Sequence, residues 1–582
     1  MADGSTINPG EIVTAALGGC MPGGADGPGV PRLRIRIADP HVTVAELRDH
    51  IAASGVIFDR GMPVRVAYSA MKRGMVAVPL TADGLKRDCH NVCRPFATRV
   101  DKEGMKVEAD VPLPTWAAVQ YLDWAGEWRL PALKGIASAP LLDNGGGIRA
   151  HDGYDSVSGM WCEAQPPGLA GLVPDKPTQA EAAAALATLR GFWRTFAFAD
   201  ARTVSEAGQQ VQVVDLDAPP GMDESTALAA LLTAVCRPSL PLAPGLIVRA
   251  AQFSGAGSGK GLLVRLICAV AFGRAPAAFT AGGTPQELDK RLSAELMEGG
   301  PVLFLDNLND TALRSDILAS VMTELSVRVR LLGLSSMVPL NASAFVALTG
   351  NGLTVREDLA RRFLTVELDA GMEDPEARRF TGDILQEALA RRGELLAALL
   401  TIWRRGRHQE AADALVPGKT LGSFETWCRW VRDPLLALGC MDPVARVAEA
   451  KAGDRRRQNV AEVLAAWHAV HANRPVKAVN LGETVTRLLD PQGNGRQYVA
   501  AALGRMVGTR AGGFVMTAQP PIGRHGATTY AVRPSVEGTF STPAPDNPAS
   551  VRPDAPYAPY GFSSNGAESE PEGMEGGRSA PA

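Results

Sequence analysis

The chain has 582 residues, 46% of them apolar and 21% charged, the balance of a folded protein rather than a disordered or collagenous one. At roughly 100 to 200 residues per domain it holds about three to five folding units, which excludes a single compact module. Lysine and arginine number 59 against 62 aspartates and glutamates, a net charge of −3, so any nucleic-acid footprint has to be local.

Residues 1–41 read as a disordered N-terminal segment, with glycine and proline runs and no periodicity. No apolar stretch reaches the roughly 18 to 20 residues of a membrane span, and the acidic, glycine-rich start lacks the basic and apolar regions of a leader. The expectation is a cytoplasmic protein without a membrane partner. Cys89 and Cys93, with His90 beside them, could begin a zinc site, but no second ligand pair at finger spacing follows. Residues 42–178 mix a helix at 44–53, a strand at 63–68 and the aromatic run 116–128, the pattern of an α+β domain. Trp124 and Trp128, four apart, read there as helix core in preference to base-stacking residues.

An alanine-rich helix at 179–196 dominates a helical linker over 179–222. From 223 to 410 the apolar runs 246–251, 302–305 and 344–348 alternate with helices, as expected for parallel strands covered on both faces. The fold class is therefore α/β, a nucleotide-binding layout. A helical connector over 411–454 leads to a smaller unit, 455–533, of helices ending in two strands; 534–582 reads as a disordered acidic tail with seven acids and two arginines.

The most informative segment is Ser254-Gly255-Ala256-Gly257-Ser258-Gly259-Lys260-Gly261, which follows an apolar strand and opens the apolar helix 262–272. Glycines let such a loop take positive φ and bring amides close to a polyphosphate, the helix start adds partial positive charge, and Lys260 reaches the outer phosphates. Ser254 stands where the first glycine of this pattern normally does, and Gly261 replaces the serine or threonine whose hydroxyl binds magnesium. A water could take the hydroxyl's place. Strand 302–305 delivers Asp306 at its carboxyl end, where it is expected to hold Mg2+, or in the bland reading to cap a helix. Asn307 stands where a water-activating glutamate is common; asparagine is no general base but can orient water, with Glu295 or Glu324 as carboxylates from elsewhere. A third strand ends in Thr349-Gly350-Asn351-Gly352, bringing Asn351 toward a γ-phosphate. Arg361 and Arg362 follow, guanidinium forks suited to a transferring phosphoryl group, though paired arginines alone are more often a solvated face.

These four motifs, within about 110 residues, resemble the superfamily 3 helicases of the AAA+ class, replicative ATPases of viruses, phages and plasmids. The chain looks most like helicase proteins of prophages and integrative elements, some of which carry a primase domain; no primase acids are visible here. The resemblance covers about a quarter of the chain. It implies ATP and Mg2+ as cofactors, Lys260 as the phosphate lysine, Asp306 as the magnesium acid, Asn351 as a first sensor, and Arg361 or Arg362 as a finger reaching a neighbouring subunit's ATP. It further implies a homohexameric ring threading single-stranded DNA, with a channel hairpin near 330–336 flanked by Arg328 and Arg330. The reaction implied is DNA unwinding or translocation; the competing reading is an ATP-switched initiator or loader scaffold that unwinds nothing.

A second nucleic-acid signal is independent of the first. From Lys451 to Arg533 there are twelve basic residues against four acidic ones. Helices near 460–472, 481–489 and 496–507, then a hairpin, resemble a winged helix-turn-helix. Its third helix would present Arg496, Gln497 and Arg505 to duplex DNA, with Arg510 and Arg524 for phosphates.

Overall fold

The computed structural model describes residues 30–206, 211–250, 257–308, 312–313, 315–330, 337–351, 353–355, 359, 361–372, 375–380, 382–408, 420–452, 455–490, 493, 495–520 and 528–534. Ser254, Gly255, Ala256, Arg524, the hairpin tip 331–336, residues 1–29 and residues 535–582 lie outside them; the expectation of disorder up to residue 41 is corrected for 30–41, where Leu33 is buried in a strand at 32–34 and a helix begins at Pro40. The chain forms two compact units, Met1–Val460 and Ala461–Ala582. The boundaries expected after residues 178, 222 and 410 all fall inside the first.

That unit begins with mixed structure. Strand β1 (Arg32–Arg34) pairs in parallel with β2 (Arg94–Val100), which pairs antiparallel with β3 (Lys106–Asp110). Helix α1 (Pro40–Ser54) buries Val44, Leu47 and Ile51, a stripe at spacings of three and four, against helix α2 (Thr115–Asp123). Trp124 and Trp128 are not helix core, contrary to the expectation from their spacing. The helix stops at Asp123, and Trp128 is buried beyond it, donating Nε1–H to the Tyr121 carbonyl at 2.9 Å. Helix propagation ends here because Ala125 and Gly126 turn the chain, Gly126 with φ +83°. The Cys89 and Cys93 sulfurs lie 3.5 Å apart in the apolar core, His90 faces solvent, and no cluster of three metal-ligating residues occurs among the described residues.

The second part of this unit is built on a parallel sheet. In chain order its strands are β4 (Gly245–Ala250), β5 (Ala278–Phe279), β6 (Val302–Leu305), β7 (Phe345–Gly350) and β8 (Phe363–Leu368); in space they run β5-β6-β7-β4-β8. All four pairings are parallel, with Ile247 opposite Leu348 and Leu305 opposite Leu348's other side. Helix α3 (Lys260–Phe272) follows β4 and is buried over most of its circumference, every residue from Leu263 through Phe272 except Arg265, which explains its otherwise apolar text. Helix α4 (Pro285–Glu298), capped by the Thr284 hydroxyl, and α5 (Asp316–Thr323), capped by Ser315, cover the sheet's far half. A hairpin of β9 (Ser326–Arg330) and β10 (Met337–Asn341) precedes β7 and buries Val327, Val329, Val338 and Leu340 on one face.

Buried arginines join the first part to the second. Arg60, 4% exposed, donates to the Leu133 and Lys134 carbonyls and to those of Leu296 and Met297 at the end of α4, at 2.6–3.1 Å. Arg392 likewise bridges the Ala164 and Ser138 carbonyls to those of Val270 and Ala271, at the end of α3. Burial pushes both guanidinium groups down to about 10, so they stay charged at neutral pH and favour the helix C-termini they cap.

In the second unit, helices α6 (Glu483–Leu489) and α7 (Arg496–Met506) pack with a four-stranded antiparallel sheet whose order is Val476–Lys477, Thr529–Pro534, Phe514–Gln519, Arg510–Ala511. Its core holds Leu464, Trp467, Val485, Leu503, Met516 and Val532. The expectation of two terminal strands missed the two short flanking ones, which are only two residues long.

Candidate functional site

Parallel sheets place ligands at the carboxyl ends of their strands, where the connections diverge. Here that point lies between β4 and β7: α3 carries the chain from β4 to the far edge, whereas β7 leads back past β4 to β8. The turn entering α3 has Gly257 at φ +85° and Gly259 at φ +91°, left-handed values that glycine reaches without a steric penalty. Lys260 opens the helix and its ammonium donates to the Ser258 hydroxyl at 3.1 Å. Burial lowers the Lys260 pKa, while the negative charge of Asp306 works in the opposite direction, so the two side chains share one electrostatic environment.

Asp306 leaves the end of β6 half-exposed. One carboxylate oxygen accepts from the Thr349 hydroxyl and the other from Arg265 Nη2 at 2.9 Å. The Thr349 hydroxyl also accepts the Asn307 amide at 3.1 Å, tying the ends of β6 and β7 together. Asn307 adopts φ +63°. Asparagine tolerates the left-handed region better than most side chains, so backbone geometry supplies a reason for an amide here in place of glutamate. Asn351 follows β7 directly, and Gly350 is in register with Arg249 at the end of β4, on the side from which the loop departs.

Gly261 faces the same corner. A Cβ built on it would come within 3.6 Å of an Asp306 carboxylate oxygen and within 2.5 Å of Arg265 Nη1. The start of α3 and the Asp306 carboxylate therefore meet at one corner. The donor set does not fit magnesium held as the resemblance implies. Both Asp306 oxygens have protein donors, one of them a guanidinium, and position 261 carries no hydroxyl.

The remaining expected residues divide. Arg362 donates Nη1 to the Ala319 carbonyl at 2.6 Å and to the Thr323 hydroxyl at 3.1 Å, at the end of α5, while Arg361 is exposed. Glu295 binds Lys72 at 2.5 Å and lies on the approach to β6, at the opposite end of the strand from Asp306, so it is no candidate for activating water. Glu324 is exposed beyond α5. Arg328 and Arg330 alternate outward from the buried valines of β9. In the second unit Arg496, Gln497, Arg505 and Arg510 are all exposed, while Val499 and Leu503 turn the other face of α7 into the core.

No family model and no curated protein matches the chain. Its similarity to solved structures is distant. The A-form apo structure of the NrS-1 C-terminal region (CTR) shares 11% identity at a TM-score of 0.33, with 84% of this chain and 98% of that one covered. The SCCmec type IV Cch active helicase shares 10% identity at a TM-score of 0.30, with 82% of this chain and 97% of that one covered. Likeness at this level is too slight to assign a role to any residue.

Two residues of this corner were given no role by the sequence motifs. Thr349 stands in the third motif only as the end of its strand, and Arg265 reads as one charge in an apolar helix. An arginine four residues after the glycine that replaces the usual hydroxyl is the one hint present, because i and i+4 share a helix face.

Proposed function

We propose that this chain is an ATP-driven DNA helicase or translocase serving replication of a phage or mobile element. The observation that carries the reading is the convergence of Lys260, Gly261 and Asp306 at the carboxyl ends of β4 and β6, the two parallel strands that flank β7, 3.6 Å separating the Asp306 carboxylate from a Cβ at 261. In this reading the amides at the start of α3 and the Lys260 ammonium bind the outer phosphates. Thr349 fixes the Asp306 carboxylate, and Asn307 and Asn351 orient the attacking water. That water attacks the γ-phosphorus, the bond to the bridging β-oxygen breaks, and ADP and phosphate leave. Arg361, exposed, is the finger for a neighbouring subunit's nucleotide in a homohexamer. Arg362 positions the segment by gripping α5. Single-stranded DNA passes the exposed arginines of β9, and α7 engages duplex through Arg496, Gln497 and Arg505.

A second reading is an ATP-switched initiator or loader that assembles on DNA without unwinding it. The Arg265 side chain at the metal acid and the left-handed Asn307 favour it, since both depart from an efficient hydrolytic site. Displacement of a strand from a forked duplex separates the two. Unwinding that tracks ATP turnover supports the motor; ATP-dependent oligomers on DNA with no displaced strand support the scaffold.

A further inference from the structure

The glycine at 261 and the ion pair at Asp306 form one feature. Arg265 lies one helical turn after Gly261 on the same face of α3, and its Nη1 sits 2.5 Å from where a Cβ at 261 would be. No serine or threonine can occupy position 261 while the guanidinium stays there. The guanidinium fills the corner from above, its carbon 5.5 Å from the centre of the Phe304 ring on β6 and its Nη2 on Asp306. The side chain remains 36% exposed, so the fork is not sealed off from a ligand entering at the start of α3. A guanidinium has five donors in a plane, and the carboxylate contact uses one of them.

Resting on the nucleotide-site reading above, we propose that Arg265 supplies in cis the cation that meets the outer phosphates beside Asp306, so that ATP binds this chain with little dependence on a divalent ion. Loss of the hydroxyl at 261 and gain of the guanidinium at 265 are then a single exchange: a fixed, protein-borne charge stands where the family pattern relies on a hydroxyl and an ion. Guanidinium forks suit phosphate oxygens geometrically, and this one is already held in place by its carboxylate partner.

The test is titration of the full chain with a fluorescent ATP analogue, in excess magnesium and in excess chelator. Wild type is expected to bind in both, with affinities within about threefold. Arg265→Gln, which keeps length and loses charge, is expected to lose about tenfold or more in chelator and to recover most of it in magnesium, the scale of one charge-assisted contact. Arg265→Lys should keep measurable binding in chelator, which separates charge from folding. Wild-type binding that vanishes in chelator, or an Arg265→Gln variant as tight as wild type there, overturns the inference. Failure of the underlying reading looks different: no binding by wild type in either buffer, or binding that Lys260→Ala leaves untouched.

Discussion

Helix residues 443–452 lie beyond the sheet in sequence, yet Arg446 reaches back to Asp223, whose side chain is wholly buried in the first turn of helix 222–236. Both Asp223 oxygens contact the Arg446 guanidinium, and one also accepts the Glu367 amide at 2.7 Å. Arg446→Met removes this partner charge and strands a carboxylate in the interior, a change that costs about 3–5 kcal/mol in comparable buried pairs. Arg446 is 20% exposed and the Glu367 amide survives the substitution, so water and one hydrogen bond soften the loss toward about 3 kcal/mol. The double variant Asp223→Asn/Arg446→Met keeps an acceptor for that amide without the charge and should recover about 1–2 kcal/mol relative to the single arginine variant. Urea unfolding followed by tryptophan fluorescence gives both numbers. A single variant within about 0.5 kcal/mol of wild type, or a double variant less stable than either single one, refutes the pairing as the clamp on this segment.

The site and the basic surfaces give three further expected outcomes. Thr349→Val, nearly isosteric, removes the hydroxyl that serves both Asp306 and the Asn307 amide; stability should fall by about 1–3 kcal/mol in the same unfolding assay, and ATP turnover should fall with it. If the ring reading holds, Arg361→Ala subunits mixed into wild type depress turnover below the value expected from dilution, whereas Arg362→Ala chiefly lowers the unfolding midpoint, because Arg362 grips α5. Replacing Arg496 and Arg505 by alanine should weaken duplex binding and reduce the slope of log affinity against log salt by about 1 for each phosphate no longer neutralised, measured by anisotropy at several salt concentrations. An unchanged slope assigns those arginines to base edges or to no DNA role.

The strands of the parallel sheet and the helix after the glycine loop were legible because burial on both faces writes a continuous apolar run into the sequence, as at 302–305 and 266–272. The corner occupied by Arg265 was not. Its contact spans 41 residues and depends on a rotamer, and the motif text flags only the missing hydroxyl. Nor could the joining of the first part of the chain to the sheet be read, because the acceptors of Arg60 and Arg392 are backbone carbonyls, which leave no trace in residue type. The tryptophan pair failed for a related reason. Spacing of four is satisfied by a helix and equally by a chain that turns after Asp123 and tucks Trp128 under it.

The central claim is that Lys260 and Asp306 act on one nucleotide. ATP hydrolysis measured with and without single-stranded DNA, on wild type, Lys260→Ala and Asp306→Ala, tests it most directly. The expected result is turnover stimulated by DNA in wild type and lowered by about tenfold to a hundredfold or more in each variant, with ATP binding weakened most in Lys260→Ala. Turnover in Lys260→Ala equal to wild type contradicts the claim.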